Sequence, residues 1–470
     1  MNQDNFWNKL FLYIIISVTV YFYSCANQLP PSGGDDDKTP PEIISIYPRP
    51  NSINYKDNKL RFKFDEYVDR RSFEESFFIS PKPKGGYEFD WSGKEVEVKF
   101  SKALDKNKTY VIIIGIDLKD LRGGNALASP LSFAFSTGSR IDEGNISGMV
   151  FSDNYDRVKI LAYLKAGKTE DSLNPGNNIP DYILQVSPDG SYEFTNLPDG
   201  EYRVFAVSDE DRNNLFDKDL DNIAVLSDDL RLAKDSNAIS GLNFLLKDFD
   251  INKTGKEFLD LLKADSINFI YSNISNGDNN IPPDYRFYFY FKNTSLKKAD
   301  MVNNFTVTDT VSSKSYRLVF NWLNDSLLEV FSAERFALSS GLKLIIDLRG
   351  TGKKYLYERR FNIAGKNNFG KIFGKIISGE DALPHVNIRL YNKDNKFVTY
   401  SAKLKDTTGF VFEEVLEGNY MMLSFIDENE NGKPDKGNYY PFGPAEKFFI
   451  YDKELKVKGG WNVENVFIKF

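Results

Sequence analysis

The chain has 470 residues, 41% hydrophobic and 15% aromatic, with a net charge of −7, one histidine (His385) and one cysteine (Cys25). That length suits three or four domains of roughly 100–150 residues, and the wealth of Phe and Tyr favours strands over helices. A Cys/His metal centre and a disulfide framework are excluded, the net charge implies no basic surface for nucleic acid, and a Ser-His-Asp arrangement would have to use His385, which reads as a surface or edge residue just before a strand in ALPHVNIRLY.

Residues 1–24 read as a secretion signal, with Lys9 ahead of the apolar run Leu10–Phe22. The run is short for a transmembrane helix, which needs ~20 apolar residues. It ends at Ser24-Cys25, which resembles the cleavage site of bacterial lipoproteins. The resemblance implies lipidation of Cys25 and attachment to a membrane through its acyl chains. Residues 25–39 are polar and rich in Pro, Gly and Asp, and read as a disordered tether. The stretch CAN…PSGGDDDKTPP resembles Bacteroidota lipoproteins that carry an Ig-like domain directly after such a tether. That resemblance implies a lipid-anchored place at the outer membrane. In those lipoproteins acidic residues soon after the Cys accompany display on the cell surface, so through Asp35, Asp36 and Asp37 the resemblance implies the cell surface over the periplasmic face.

Beyond the tether the expectation is all-β. Residues 40–138 hold segments such as Leu60–Phe64 (LRFKF) and Val96–Phe100 (VEVKF) that alternate apolar and polar residues, with turn residues between them. PPEIISIYP, LRFKFDEYVD, WSGKEVEVKF and NKTYVIIIG resemble the SbsA-type bacterial Ig-like domain. Residues 143–248 open on ISGMVF and contain GSYEFTNLPDGEYRVFAV. These residues resemble transthyretin-like sandwiches, of the kind seen in carboxypeptidase regulatory domains. Residues 249–265 fall in the only stretch with a helical pattern, Phe258, Leu259 and Leu262 sharing a face, and read as a connector. Residues 266–365 repeat the first domain: Trp322–Ser332 aligns without gaps on Trp91–Ser101. Residues 369–470 repeat the second, GFVFEEVLEGNYMMLSFIDENENGKPD matching GSYEFTNLPDGEYRVFAVSDEDRNNLFD. The expected architecture is therefore a row of tandem β-sandwiches, Ig-like and transthyretin-like, in the order A–B–A′–B′.

Each B-type copy carries an acidic loop after its central strand. In the second, Asp427, Asn429, Asn431, Lys433 and Asp435 alternate as D-x-N-x-N-G-x-x-D, with Gly432 at the sixth place. Alternate side chains of a tight loop converge inward, and calcium takes several oxygens at ~2.3–2.6 Å. Lys433 would give its backbone carbonyl. The first copy offers Asp209, Asp211, Asn213, Leu215 (by its carbonyl) and Asp217, with Asn214 in the glycine's place and Asp219 and Asp221 following. Neither copy has the bidentate Glu of a twelve-residue calcium loop, so a solvated surface turn is the competing reading. Calcium is the one candidate cofactor.

After the second loop, Tyr439, Tyr440 and Phe442 are candidates for contact with a protein partner or a glycan. Trp91 and Trp322 read as packing residues. The acidic residues include no context that selects a glycosidase pair, and no catalytic residue is assigned. Together these features lead to a non-enzymatic, lipid-anchored scaffold. The lipoprotein resemblance suggests a role beside an outer-membrane barrel protein, in β-barrel assembly or SusC/SusD-type uptake. The alternative is a surface glycan-binding lipoprotein.

Overall fold

The computed structural model describes residues 37–249, 256–264, 270–292, 302–349, 356–378, 385–404, 408–451 and 453–470. The signal, Cys25 and the tether up to residue 36 lie outside the described residues. The chain forms tandem β-sandwiches.

In the first, one sheet orders its strands Ile43–Tyr47, Lys59–Phe64, Glu95–Phe100, Tyr87–Ser92, and the facing sheet Phe77–Ser80, Thr109–Ile114, Leu131–Ser136. The alternation of KLRFKF explains the first sheet. Leu60, Phe62 and Phe64 are fully buried, while Arg61 and Lys63 stand outside opposite Glu97 and Glu95. The third sandwich repeats this order: Ile270–Ser272, Phe287–Phe291, Leu327–Ser332, Leu318–Trp322 against Phe305–Asp309, Gly341–Asp347, Leu356–Asn362. Trp91 and Trp322 occupy matching strands. Trp91 packs on Phe73, and Trp322 on Phe291.

The second and fourth sandwiches also share a topology. Val158–Leu164 and Gly200–Ser208 pair antiparallel in one, Val386–Asn392 and Gly418–Ile426 in the other, in the same register. Each has an opening strand, Gly144–Phe151 or Phe369–Ile377, whose outer neighbour runs parallel to it. The matched glycines of ISGMVF and IFGKII make this closure possible. A Cβ at Gly148 would lie 1.8 Å from the Leu242 carbonyl oxygen, and one at Gly374 2.5 Å from that of Val466. After the turn, the Tyr202 hydroxyl donates to the Pro198 carbonyl at 2.8 Å and the Tyr420 hydroxyl to that of Leu416 at 2.7 Å. These buried corners pin the start of each central strand and explain the Gly-x-Tyr signature.

One expectation about helices is corrected. A helix spans Arg70–Ser76, capped by Asp69, whose side chain accepts the Ser72 N–H, so the connector is not the only helical stretch. Of the expected connector, residues 250–255 and 265 lie outside the described residues; among the described ones a helix spans Lys256–Leu261 and ends ahead of the short strand Lys263–Ala264. Phe258 of the helix, with Leu262 beyond its end, is buried against Tyr288 and Leu327 of the third sandwich and Phe397 of the fourth.

Sandwich order along the chain is not the order of contact. Phe78, Val111, Ile113 and Ala134 of the first share one core with the second. Leu245, Phe151 and Phe249 of the second pack on Tyr391, Leu423, Phe425 and Ile450 of the fourth. Phe397, Val398 and Tyr400 of the fourth pack on the core of the third. Contacts thus run A–B–B′–A′, with the two copies of one type back to back in the middle.

Candidate functional site

The acidic loops have the same backbone. Arg212 and Asn214 in the first, and Glu430 and Gly432 in the second, all have φ between 58° and 72°. In each, a carboxylate that leads the loop is buried at the end of the central strand. Asp209, 1% exposed, accepts the N–H groups of Asn213 and Asn214, both at 3.0 Å, and the Lys159 ammonium at 2.6 Å. Lys159 also donates to Asn214 Oδ1 at 2.7 Å and lies over the Phe78 ring of the first sandwich. Asp211 accepts Asn213 Nδ2, Asn213 Oδ1 accepts the Leu215 N–H, and Asp217 accepts the Asp219 N–H. Asp221 closes the loop: its carboxylate accepts the N–H groups of Glu210 and Asp217, and burial raises its pKa.

In the second loop Asp427, 3% exposed, accepts Gly432 N–H at 2.9 Å and Asn387 Nδ2 at 2.6 Å on Oδ2, while its enclosed Oδ1 has no hydrogen-bond partner. Asn429 and Asn431 both direct Nδ2 at Asp435. The Lys433 N–H donates to Asn431 Oδ1. Glu446 does here what Asp221 does in the first copy. It accepts the N–H groups of Glu428 at 2.9 Å and Asp435 at 3.0 Å, and burial raises its pKa, with Asp435 and Asp427 adding to the effect. Sequence reasoning missed Glu446, which lies far beyond the loop spacing; the one available signal was an acidic residue just before the Phe448–Ile450 strand. His385 sits at the loop's shoulder, half-exposed, its carbonyl accepting the Asp427 N–H and its Nδ1 3.2 Å from Glu430.

Residues 436–445 then form a strap that crosses to the second sandwich. Asn438 and Gly443 exchange both backbone hydrogen bonds, at 2.8 and 2.9 Å. Gly437, at φ +70°, lets the strap reach its neighbour, since a Cβ there would meet Val225 Cγ2 at 2.4 Å. Tyr439 packs on Phe216 with centroids 4.7 Å apart, and the Phe442 ring lies 3.9 Å from the Arg203 guanidinium. Arg203 is itself held by Asp229 through two hydrogen bonds of 2.9 and 2.8 Å. Tyr440 stays 43% exposed and donates its hydroxyl to Asp171. Lys436 Nζ donates to the Leu246 carbonyl and the Ala445 N–H to that of Leu226. Tyr439 and Phe442, read from the sequence as partner or glycan contacts, meet the chain's own second sandwich.

A third acidic group was not foreseen. Asp37, Glu66 and Asp120 bring carboxylate oxygens within 4.8 Å of one another. Both oxygens of the buried Asp120 are spent on the turn Gly123–Asn125. No described helix is long and apolar enough to cross a membrane.

The family model for a bacterial Ig-like domain matches residues 37–137. The first sandwich is a bacterial Ig-like domain. No curated protein matches the chain. Among solved structures, the S-layer protein SbsC is 10% identical over 89% of this chain and 68% of its own, with a TM-score of 0.18. The major pilin subunit BcpA of Bacillus cereus is 9% identical over 70% of this chain and 99% of its own, at 0.16. The match to L,D-transpeptidase LdtMt1, at 6% identity and TM-score 0.16, covers 23% of this chain and 41% of that one. The match to Mycobacterium tuberculosis L,D-transpeptidase 1, at 4% and 0.18, covers 26% and 58%. The chain therefore spans less than two thirds of the length of those two enzymes. At these scores the likenesses carry no argument about this chain.

Proposed function

We propose that the protein is a lipid-anchored, non-enzymatic scaffold of the outer membrane, displayed at the cell surface as an accessory of an outer-membrane barrel complex. The second and fourth sandwiches are of the transthyretin-like type, their parallel closing strands and tyrosine corners supporting that reading. The observation that carries the scaffold reading is the unbroken series of apolar junctions. Cores merge from first to second sandwich, from second to fourth and from fourth to third. Buried junctions of this kind fix the angles between modules, which a scaffold needs and a string of independently tethered domains lacks. The buried charges Arg203, Lys159 and Asp209 are all engaged in structural pairs, Arg203 with the partly buried Asp229.

The test is an affinity pull-down of the tagged, acylated protein from gently solubilised outer membranes. Stoichiometric recovery of a barrel protein supports the reading, and recovery of the lipoprotein alone removes the stable-subunit idea. Cys25→Ala should release the protein from the membrane fraction. The glycan alternative is weakened by the inward packing of Tyr439 and Phe442, and a glycan array without hits would close it.

A further inference from the structure

A buried carboxylate demands a positive charge or a full set of donors. In the second sandwich the Lys159 ammonium meets that demand for Asp209, and it bonds Asn214 as well. The paired registers put Asn387 at the place of Lys159, because Lys159 faces Val207 and Asn387 faces Phe425 at the same step of the two central strands. Gly432 likewise stands where Asn214 stood. The fourth sandwich keeps the loop and its buried leading carboxylate but has lost the ammonium. The Asp427 carboxylate faces the loop, since Oδ2 accepts the Gly432 N–H, and its enclosed Oδ1 has no partner. Arg389, two residues on from Asn387, gives Nη2 to the Gly432 carbonyl and makes no ion pair with Asp427 among the described residues.

The surrounding groups carry oxygens. Asn429 and Asn431 aim their amide nitrogens at Asp435; rotation of each amide puts a carbonyl oxygen where the nitrogen now lies and gives up the bonds their Oδ1 atoms accept from the Asn431 and Lys433 N–H groups, a loss the ion's own bonds would have to offset. Side-chain amides, carboxylates and a backbone carbonyl form a hard, neutral-to-anionic set suited to calcium rather than to a transition metal. We propose that the loop Asp427–Asp435 binds one calcium ion through Asp427, Asn429, Asn431, Asp435 and the Lys433 carbonyl, and that the loop Asp209–Asp217 binds none because Lys159 occupies the equivalent place. The ion also acts at a distance. Asp435 leads directly into the strap and is tied to Glu446 at the strap's far end by two hydrogen bonds, the Asp435 N–H to the Glu446 carboxylate and the Glu446 N–H to the Asp435 carbonyl, both 3.0 Å. Fixing the loop therefore fixes the strap on the second sandwich.

The experiment is equilibrium dialysis of the chelator-washed full chain against calcium-45, with trypsin cleavage after Lys436 followed in parallel. One ion per chain is expected, with a dissociation constant on the order of 10⁻⁴–10⁻³ M, as in extracellular modules. Calcium should slow cleavage of the strap. Asp427→Asn should weaken binding at least tenfold. Asn387→Lys installs the ammonium of the first copy, so it should abolish binding while keeping the strap protected without calcium. Two ions per chain, no ion at millimolar calcium, or unchanged binding in Asn387→Lys would each overturn the proposal.

Discussion

Lys159→Met tests whether the first loop depends on its internal cation. The two side chains are 6% and 1% exposed and 2.6 Å apart, so the methionine leaves Asp209 as a buried charge supported only by two N–H donors. Breaking one side of a buried pair costs about 3–5 kcal/mol, and the lost bond to Asn214 adds about 1 kcal/mol. The second sandwich shares its core with the first, so the cooperative unit has about 200 residues, for which 1 kcal/mol moves Tm by roughly 2–4 °C. The expected fall is about 8–24 °C for that transition in scanning calorimetry. Amide exchange in Val204–Val207 should accelerate with it, while the third sandwich keeps its protection. Lys159→Met with Asp209→Asn removes the orphaned charge and should recover at least half the loss, a coupling expected of residues in contact. A fall below about 2 °C, or a double variant as unstable as the sum of its parts, would refute the idea that the ammonium neutralises this loop.

Tyr202→Phe and Tyr420→Phe each remove a buried hydroxyl that satisfies a strand-end carbonyl, and each should cost about 1–3 kcal/mol in urea unfolding, additively because the corners lie in different sandwiches. Phe442→Ala removes the ring over Arg203, a desolvated contact worth about 2 kcal/mol. It should speed cleavage after Lys436 without lowering the transition of the second sandwich, whereas Tyr440→Phe, losing one exposed hydrogen bond, should leave the strap seated. Burial pushes the Asp229 pKa up, but hydrogen bonds from Arg203 and Lys165 outweigh it and leave the carboxyl below its usual range. Its stabilising share is then present above the unfolded pKa of about 3.9 and is lost as pH falls through the lower native value. Asp229→Asn should therefore flatten the acid limb of stability against pH, and an unchanged slope would count against the pairing.

The repeat pattern was legible because each strand carries its own signal. KLRFKF and EVEVKF show one buried face, and the matched glycines and tyrosines mark a closure and a corner that need those residues. The Arg70–Ser76 helix was not legible. In its two turns only Phe73 is a buried apolar residue, so no helical period develops, and its cap at Asp69 could equally mark a turn. The loops were visible as spacing, but the residues that decide their chemistry lie elsewhere. Lys159 and Asn387 each stand second in the strand that pairs with the central one, 50 and 40 residues ahead of the carboxylates they meet, and Glu446 returns after the strap. A motif window shows neither. Tyr439 and Phe442 looked exposed because they stand in a polar loop, and local sequence does not say that another module covers it.

The contact order was nevertheless latent in composition. A sheet with one face in water alternates, whereas VKILAYL, YRVFAV and MMLSFI are apolar at nearly every position, which requires cover on both faces. In the second sandwich Tyr202 and Val204 face inward while Phe205 and Val207, on the opposite side, are fully buried too. In the fourth, Tyr420 and Met422 fill the module's own core while Leu423 and Phe425 lie against the second sandwich. The difference between the two loops follows from what each copy meets. The first copy's loop lies where Lys159 reaches Phe78 of the first sandwich, and its return to the sheet, from Asp217 to Ile223, is short. The second copy's return, from Asp435 to Phe448, is long enough to carry a strap to a neighbour. The copy enclosed by a neighbour holds a covalently attached ammonium, and the copy that must hold a neighbour keeps, at the head of the loop that leads into its strap, a buried carboxylate whose Oδ1 has no hydrogen-bond partner.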